Sequence, residues 1–352
     1  MTDKKKDSTP GNISEMGEFG LIDELTSGFK SRERTTITAM GDDTAAIDCG
    51  EKYMLITKDL LVEGVHFDVS YTPLKHLGYK SVVVNLSDIY AMNGTPTQVL
   101  VGIAVSSKYT LEALKEFYEG IKLACEQYNV DLVGGDTCSS QSGLFISVTA
   151  TGFVDKDKIT YRSGAKKNDL ICVSGDLGAA YAGLLILKRE KEVFKANPNS
   201  QPDISKYSYI LERQLKPEAC NQTIELLQSC GIKPTAMIDI SDGLASEIMH
   251  ICKNSRTGAY IHEEKIPIDP ETIAVADEFD INPTTFALNG GEDYKLLFTI
   301  SQQHFEEINK HQQIKVIGYI SDVLDGVNLI TTAGQQVPMR AQGWDAFKKK
   351  DR

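Results

Sequence analysis

The residues of this chain best able to do chemistry are acidic, and they recur at six places in one local pattern. Asp42-Asp43 follow Gly41, Asp136 follows Gly134-Gly135, and Glu292-Asp293 follow Gly290-Gly291. Asp239 and Asp242 flank Ser241, Asp59 closes a strand-like run, and Asp88 stands in an apolar stretch. Any one of these alone is an ordinary turn, because Gly and Asp both favour turns. Together they predict carboxylates delivered to one edge of a sheet, where α/β folds bind ligands. Carboxylates in that number are hard oxygen ligands suited to several Mg²⁺ ions, whose remaining positions are ordinarily taken by phosphate oxygens.

Asp88 is the sharpest case. It lies within Val82 to Gly94, VVVNLSDIYAMNG, whose apolar positions 82, 83, 86, 89, 90 and 92 predict a mostly buried helix. A carboxylate there is costly to bury without compensation. No Lys or Arg lies within a helical turn of it; alone it would read as an Asp on the helix's narrow solvated edge, and the recurrence of the pattern at five other places is what makes a metal the expected partner.

The elements that must position these groups follow from the pattern. Helical spacing begins near Ile13; Arg34 to Asp48 reads as strand, acidic turn, strand; and Tyr53 to Thr57 is a strand with Lys58-Asp59 directly after it. Pro73 opens the long helix of Asp88, Thr97 to Val105 is a strand, and Leu111 to Tyr128 is amphipathic. A strand at Val130 to Val133 runs into Gly134-Gly135-Asp136, and Leu144 to Val154 is another. Strands alternating with two long helices predict a split βαβ layout, with helices on one face of a mixed sheet. The charged break Asp155-Lys156-Asp157-Lys158 separates an N-terminal domain, 14–154, from a C-terminal domain, 155–352, behind a disordered leader, 1–13. In the second part, strands are expected at 169–174, 235–240, 259–262, 294–300 and 315–321, and helices at 179–188, 218–229 and 244–254.

Bulk composition excludes several classes. A chain of 352 residues with net charge −12 is expected to have two domains and is a poor partner for nucleic acid or an anionic membrane. The same charge means that a phosphorylated ligand must be bridged by cations. The seven cysteines include no Cys-x-x-Cys pair, so neither a disulfide framework nor a structural zinc site is expected, and a cytoplasmic location is. No run reaches transmembrane length. The P-loop pattern is absent, and so are HExxH and GxSxG.

As a set, GDDTAAID, DLLVEGVHF, YKSVVVNLSDIYAMNG, LVGGDT, RSGAKKNDL, IDISDGL and NGGEDYKLLF resemble the thiamine-monophosphate kinases. That family belongs to the aminoimidazole-ribonucleotide-synthetase-like ATP-binding proteins, and the resemblance runs from Gly17 to Phe347. It implies a two-domain PurM-like fold, α+β then α/β, whose N-terminal sheet makes a homodimer. It also implies ATP-dependent phosphorylation of thiamine monophosphate. By resemblance, Asp43, Thr57, Asp59, Asp88, Asp136, Asp239 and Asp242 are Mg²⁺ ligands. Lys58, where the family often has Thr, offers only its backbone carbonyl. Gly135, Arg162, Ser241 and Tyr118 are implied nucleotide contacts, with Asp88, Asp136 and Arg162 central to catalysis. His66, Glu292 and Trp344 are implied to hold the thiamine phosphate. Two readings stand for Trp344, stacking on a substrate ring or packing the C-terminus, and Arg162 is either a phosphate fork or a solvated loop charge.

The chemistry is consistent with that resemblance. ATP carries about four negative charges and a phosphomonoester nearly two more, so mutual repulsion is the main obstacle. The acceptor oxygen is already deprotonated, which predicts catalysis by positioning and electrostatics with no general base. Among siblings, selenophosphate synthetases usually carry Cys or selenocysteine before the first acidic motif, and none precedes Cys49 here. Hydrogenase-maturation siblings end in a reactive Cys, whereas KKKDR stands here. Aminoimidazole ribonucleotide synthetase and a non-catalytic nucleotide-binding subunit remain open alternatives.

Overall fold

The protein, seen as a computed structural model, is described over residues 13–199 and 203–342. After helix α1 (Ile13–Thr26) comes a six-stranded sheet built from β1 (Thr36–Thr38), β2 (Ala45–Asp48), β3 (Lys52–Val62), β4 (Thr95–Val105), β5 (Asp131–Ser139) and β6 (Leu144–Asp155). Its order is β1-β2-β3-β6-β4-β5, and only β4 and β5 run parallel. Helices α2 (Leu74–Ala91) and α3 (Leu111–Tyr128) belong to this part. Pro73 stands at the N-cap of α2 as the sequence predicts; Thr110 caps α3 by accepting from Ala113 N–H, and Asn129 ends it in the left-handed region at φ 52°.

A second sheet of seven strands follows, ordered β13-β12-β9-β11-β7-β10-β8. Its strands are β7 (Leu170–Ser174), β8 (Ala236–Asp239), β9 (Gly258–His262), β10 (Leu296–Ile300), β11 (Ile314–Ser321), β12 (Val327–Ile330) and β13 (Gln336–Pro338). Around it lie α4 (Ala179–Ala196), α5 (Ser208–Leu215), α6 (Asn221–Ser229), α7 (Leu244–Ser255), α8 (Pro270–Glu278), α9 (Pro283–Asn289) and α10 (Phe305–Ile308). All pairings are antiparallel except β12 with β9.

The helix carrying Asp88 is buried nearly all the way round. That follows from its place between the two sheets: Val83, Leu86 and Ile89 share one core with Leu55 and Ile146 of the first sheet and with Met237 of β8. Its crossing with α3 depends on two glycines. A Cβ on Gly78 would lie 1.9 Å from Phe117 O, and one on Gly120 would lie 1.8 Å from Lys75 O. No larger residue fits either place at this helix separation.

Two strand boundaries differ from the sequence reading. β3 runs on to Val62, pairing with β6 from Lys52↔Asp155 to Val62↔Phe145, so Asp59 lies inside a strand and not at its end. The alternation of Thr57, Asp59 and Leu61 inward with Lys58 and Leu60 outward hid this, because polar residues fall on the inner face. β5 likewise passes straight through Gly134-Gly135-Asp136. Gly135 is needed there for close approach, since a Cβ would lie 1.9 Å from Val101 O beside the β4–β5 register shift, and no turn is involved. Short elements such as α5, α8, α9, β12 and β13 carry too little periodicity to be foreseen.

Candidate active site

Four elements converge where β3, α2 and β8 meet the turn before β2. Asp43, Asp88 and Asp239 each offer a carboxylate oxygen, and the three oxygens lie within 4.8 Å of one another. Thr57 Oγ1 donates to Asp88 Oδ2, and Ser87 Oγ donates to Asp239 Oδ2 at 2.7 Å. Asp59 donates its backbone N–H to Asn85 Oδ1 at 3.1 Å, which ties β3 to α2, and its charge acts directly on Asp88. On the other side, Arg162 Nε and Nη2 both donate to Asp43 Oδ1, at 3.1 and 2.6 Å. The Arg162 N–H donates to Asp42 Oδ1 at 3.1 Å.

One guanidinium cannot compensate so many carboxylates. Burial, followed by the charges of Asp59, Asp239 and Asp43, pushes Asp88 well above the usual range. Burial and then Asp43 raise Asp239 to about 7. Burial raises Asp43, and burial and then Asp43 raise Asp42 to about 7. With Oδ1 held by Arg162, Asp43 Oδ2 is buried without a hydrogen-bond partner. A buried anionic atom left so is costly. Oxygen-only donors around an orphaned carboxylate oxygen fit a hard divalent cation such as Mg²⁺.

Other predicted residues fall around or away from this cluster. Ser241 and Asp242 sit at the N-terminus of α7, where Glu247 Oε1 accepts both backbone N–H groups, at 3.3 and 2.8 Å. The Glu292 N–H donates to Ser241 O at 2.6 Å, clamping the GGEDY loop onto the end of β8. Glu292 itself is engaged by Lys80 Nζ at 3.0 Å and Gln214 Nε2 at 2.8 Å. Asp293, expected in the acidic set, turns away to cap α4, accepting from Gly178 N–H at 2.7 Å. Exposed His66 follows β3, its Nδ1 accepting from Val62 N–H at 3.0 Å. The Lys58 side chain is exposed on the opposite face of β3 from Thr57, so it does not face the cluster.

Gly135, Asp136 and Tyr118 form a separate group, lining an open groove of about 560 Å³ along β5. Through the pairings Leu60↔Ser147, Gly102↔Ser147 and Gly102↔Asp136, Asp136 shares the open face of the sheet with Leu60. Asp136 is therefore not gathered with Asp88 within one chain, contrary to a single convergence of acidic motifs. Trp344 lies outside the described residues.

Sequence reasoning missed Lys80, Ser87, Gln214, Glu247 and Tyr294. Lys80, a cation directly ahead of the apolar run 82–84, was the readable signal among them. Tyr294 is the least obvious: its ring packs on the core, and the charges of Glu292, Asp59, Asp239 and Asp242 all act on its hydroxyl.

Residues 41–154 match the family model described as AIR synthase related protein, N-terminal domain. The thiamine-monophosphate kinase of Bacillus subtilis (strain 168) is 33% identical over 95% of this chain and 100% of its own length. That of Aquifex aeolicus (strain VF5) is 35% identical over 82% of this chain and 87% of its own. This chain belongs to the thiamine-monophosphate kinase family. It is thus an enzyme of the kinase class. The solved structure of AaThiL complexed with AMPPCP and TMP superposes with a TM-score of 0.81 at 33% identity, covering 96% of this chain and 99% of that one. A hydrogenase maturation protein HypE in complex with ATP, 17% identical with a TM-score of 0.66 over 94% of this chain and 98% of that one, shares the fold. The PurM-like architecture implied by the motifs is thereby established for this family member, and among the described residues no helix is long and apolar enough to cross a membrane.

Proposed function

We propose that this chain transfers the γ-phosphoryl group of ATP to the phosphate of thiamine monophosphate, giving thiamine diphosphate and ADP. The observation that carries the reading is the meeting of buried Asp43 and Asp239 with half-buried Asp88, with one unpartnered oxygen on Asp43. Relatives over nearly the full length are named thiamine-monophosphate kinase, and a similar structure is complexed with AMPPCP and TMP.

In the transfer, a phosphate oxygen of the acceptor forms a bond to the γ-phosphorus as the bond from that phosphorus to the β–γ bridging oxygen breaks, and ADP leaves. Bound Mg²⁺, held by Asp43, Asp59, Asp88 and Asp239, would supply charge neutralisation for both anions. Ser87 and Thr57 fix the carboxylates, and Arg162 orients Asp43 while offering its remaining N–H groups to a phosphate oxygen. Ser241 and Asp242 stand at a helix N-terminus, a favourable place for phosphate. Glu292, held by Lys80 and Gln214, would bind the thiamine end together with His66.

We further propose that two copies pair through the open face of the first sheet, where Leu60, Leu100 and Phe145 are exposed. Such pairing is how Asp136 and Gly135 would reach a nucleotide held at the carboxylates, each serving the site of the other copy. All seven cysteines are free, which supports a reducing cytoplasm.

The test is a product assay by chromatography with ATP, Mg²⁺ and thiamine monophosphate. Thiamine diphosphate and ADP in equal amounts are expected, with both absent on chelation of Mg²⁺. ADP release stimulated by formylglycinamidine ribonucleotide and not by thiamine monophosphate would overturn the assignment in favour of purine-pathway chemistry.

A further inference from the structure

We infer that Cys230, Glu307 and His311 form a second cation site, suited to a zinc-class transition ion and not to Mg²⁺. Cys230 follows α6, Glu307 lies in α10, and His311 comes four residues later, just past that helix. Cys230 Sγ is 3.8 Å from Glu307 Oε1 and 3.7 Å from His311 Nε2, and that nitrogen is 3.7 Å from the same Glu307 oxygen. The three donors make a nearly equilateral triangle. A point equidistant from corners this far apart lies about 2.2 Å from each, which is the bonding distance of zinc to sulfur, nitrogen and oxygen ligands. All three residues are partly exposed, so an ion can enter from solvent and keep water in a fourth position.

Two simpler readings fit less well. In a nucleophile relay the thiol meets one imidazole nitrogen and the acid meets the other. Here Nε2 alone faces both thiol and carboxylate, so the groups converge on a point. An ordinary ion pair is already satisfied at the other Glu307 oxygen, where Lys310 Nζ donates to Oε2 at 2.5 Å and fixes the carboxylate, leaving Oε1 toward the centre.

The absence of a Cys-x-x-Cys pair does not bear on this site. Its donors are 77 and 81 residues apart in sequence, and the fold alone assembles them. On binding, the Cys230 thiol gives its proton to solvent as the metal–sulfur bond forms, and neutral His311 binds through Nε2. The ion would staple α6 to α10 and the start of β11, on elements that hold none of the clustered carboxylates.

The experiment uses the full chain, stripped of metal and returned to excess Mg²⁺ so that the carboxylate cluster is occupied. Zn²⁺ is titrated against a chromophoric chelator, and Co²⁺ serves as the spectroscopic probe. One equivalent of zinc is expected, with a thiolate-to-cobalt charge-transfer band. Cys230→Ser should abolish the band, and Cys230→Ser and His311→Ala should each weaken zinc at least about 100-fold. Glu307→Gln, which keeps size and shape, should weaken it about 10-fold. The inference fails if Cys230→Ser binds zinc as tightly as the parent, if cobalt shows no thiolate band, or if that band is unchanged in His311→Ala.

Discussion

Ser87 Oγ donates to Asp239 Oδ2 across the junction of α2 and β8, so one hydroxyl joins the helix under the first sheet to the edge strand of the second. Ser87 therefore acts on the site through Asp239, by fixing which carboxylate oxygen remains free. Ser87→Ala should raise the Mg²⁺ concentration for half-maximal velocity about 10-fold, as loss of a partner to a metal-binding carboxylate does. Its effect on unfolding free energy should be smaller, about 1 kcal/mol. Velocity measured against Mg²⁺ distinguishes the two, and an unchanged Mg²⁺ requirement removes Ser87 from the site.

The charge of Asp88 is opposed by burial first and then by Asp59, Asp239 and Asp43. Asp88→Asn should lower kcat at least about 100-fold, the scale of removing one preorganised electrostatic group. The metal-free fold should become more stable, because a buried repulsive charge has gone. A higher melting temperature together with lost turnover is the expected pair of results; near-normal turnover would take Asp88 out of the centre.

How much of this was legible beforehand depended on the kind of signal. The long helices α2 and α3 announced themselves by period and by Pro73, and the motifs around Asp43, Asp88 and Asp239 pointed correctly to one cluster. What could not be read was which face of a strand a residue occupies once apolar alternation stops. Asp59 and Lys58 are adjacent yet on opposite faces, and Asp136 shares its face with Leu60. Asp293 resembled its neighbours in the acidic set, but the fold spends it on the N-terminus of α4. Partners distant in sequence, such as Lys80 with Glu292, are set by tertiary packing and leave only a lone buried cation as a trace.

Lys80 is almost wholly buried and holds Glu292 Oε1 at 3.0 Å while donating to Gln214 O at 3.0 Å. Lys80→Met removes the cation and leaves the Glu292 carboxylate with the neutral amide of Gln214 in place of a charged partner. The expected cost is about 2 kcal/mol, below the range for fully buried pairs because the Glu292 side chain is 28% exposed. The double variant Lys80→Met with Glu292→Gln should recover most of that loss. Urea denaturation of the four proteins measures the coupling, and strict additivity would mean the pair does not interact.

Asp293 provides the pH test. Burial raises its carboxyl to about 6, partly offset by Arg213 and the Gly178 N–H. Since the folded value lies above the ordinary 3.8, the folded state keeps its proton while the unfolded chain loses it. The contribution of this residue to stability should therefore fall as pH rises from about 4 to about 6 and then level off, by on the order of 3 kcal/mol in all. Asp293→Asn should flatten that interval relative to the parent, as read by unfolding midpoints at fixed Mg²⁺. An equally steep decline in the variant would assign the pH dependence to other carboxylates.

Asp136 lies on the open face of the first sheet, and Asp59 and Asp88 meet on its helix-covered face. If each copy lends Asp136 to the other's site, the two functions can be broken in different subunits and recombined. Asp88→Asn and Asp136→Asn homodimers should each be nearly inactive. Co-expressed or refolded together in equal amounts, half the dimers are mixed, and each mixed dimer keeps one site with both carboxylates intact. Activity should return to roughly a quarter of the parent. Recovery would also establish the open face as the subunit interface, whereas a mixture as inactive as its components would show that Asp136 serves its own chain or no site.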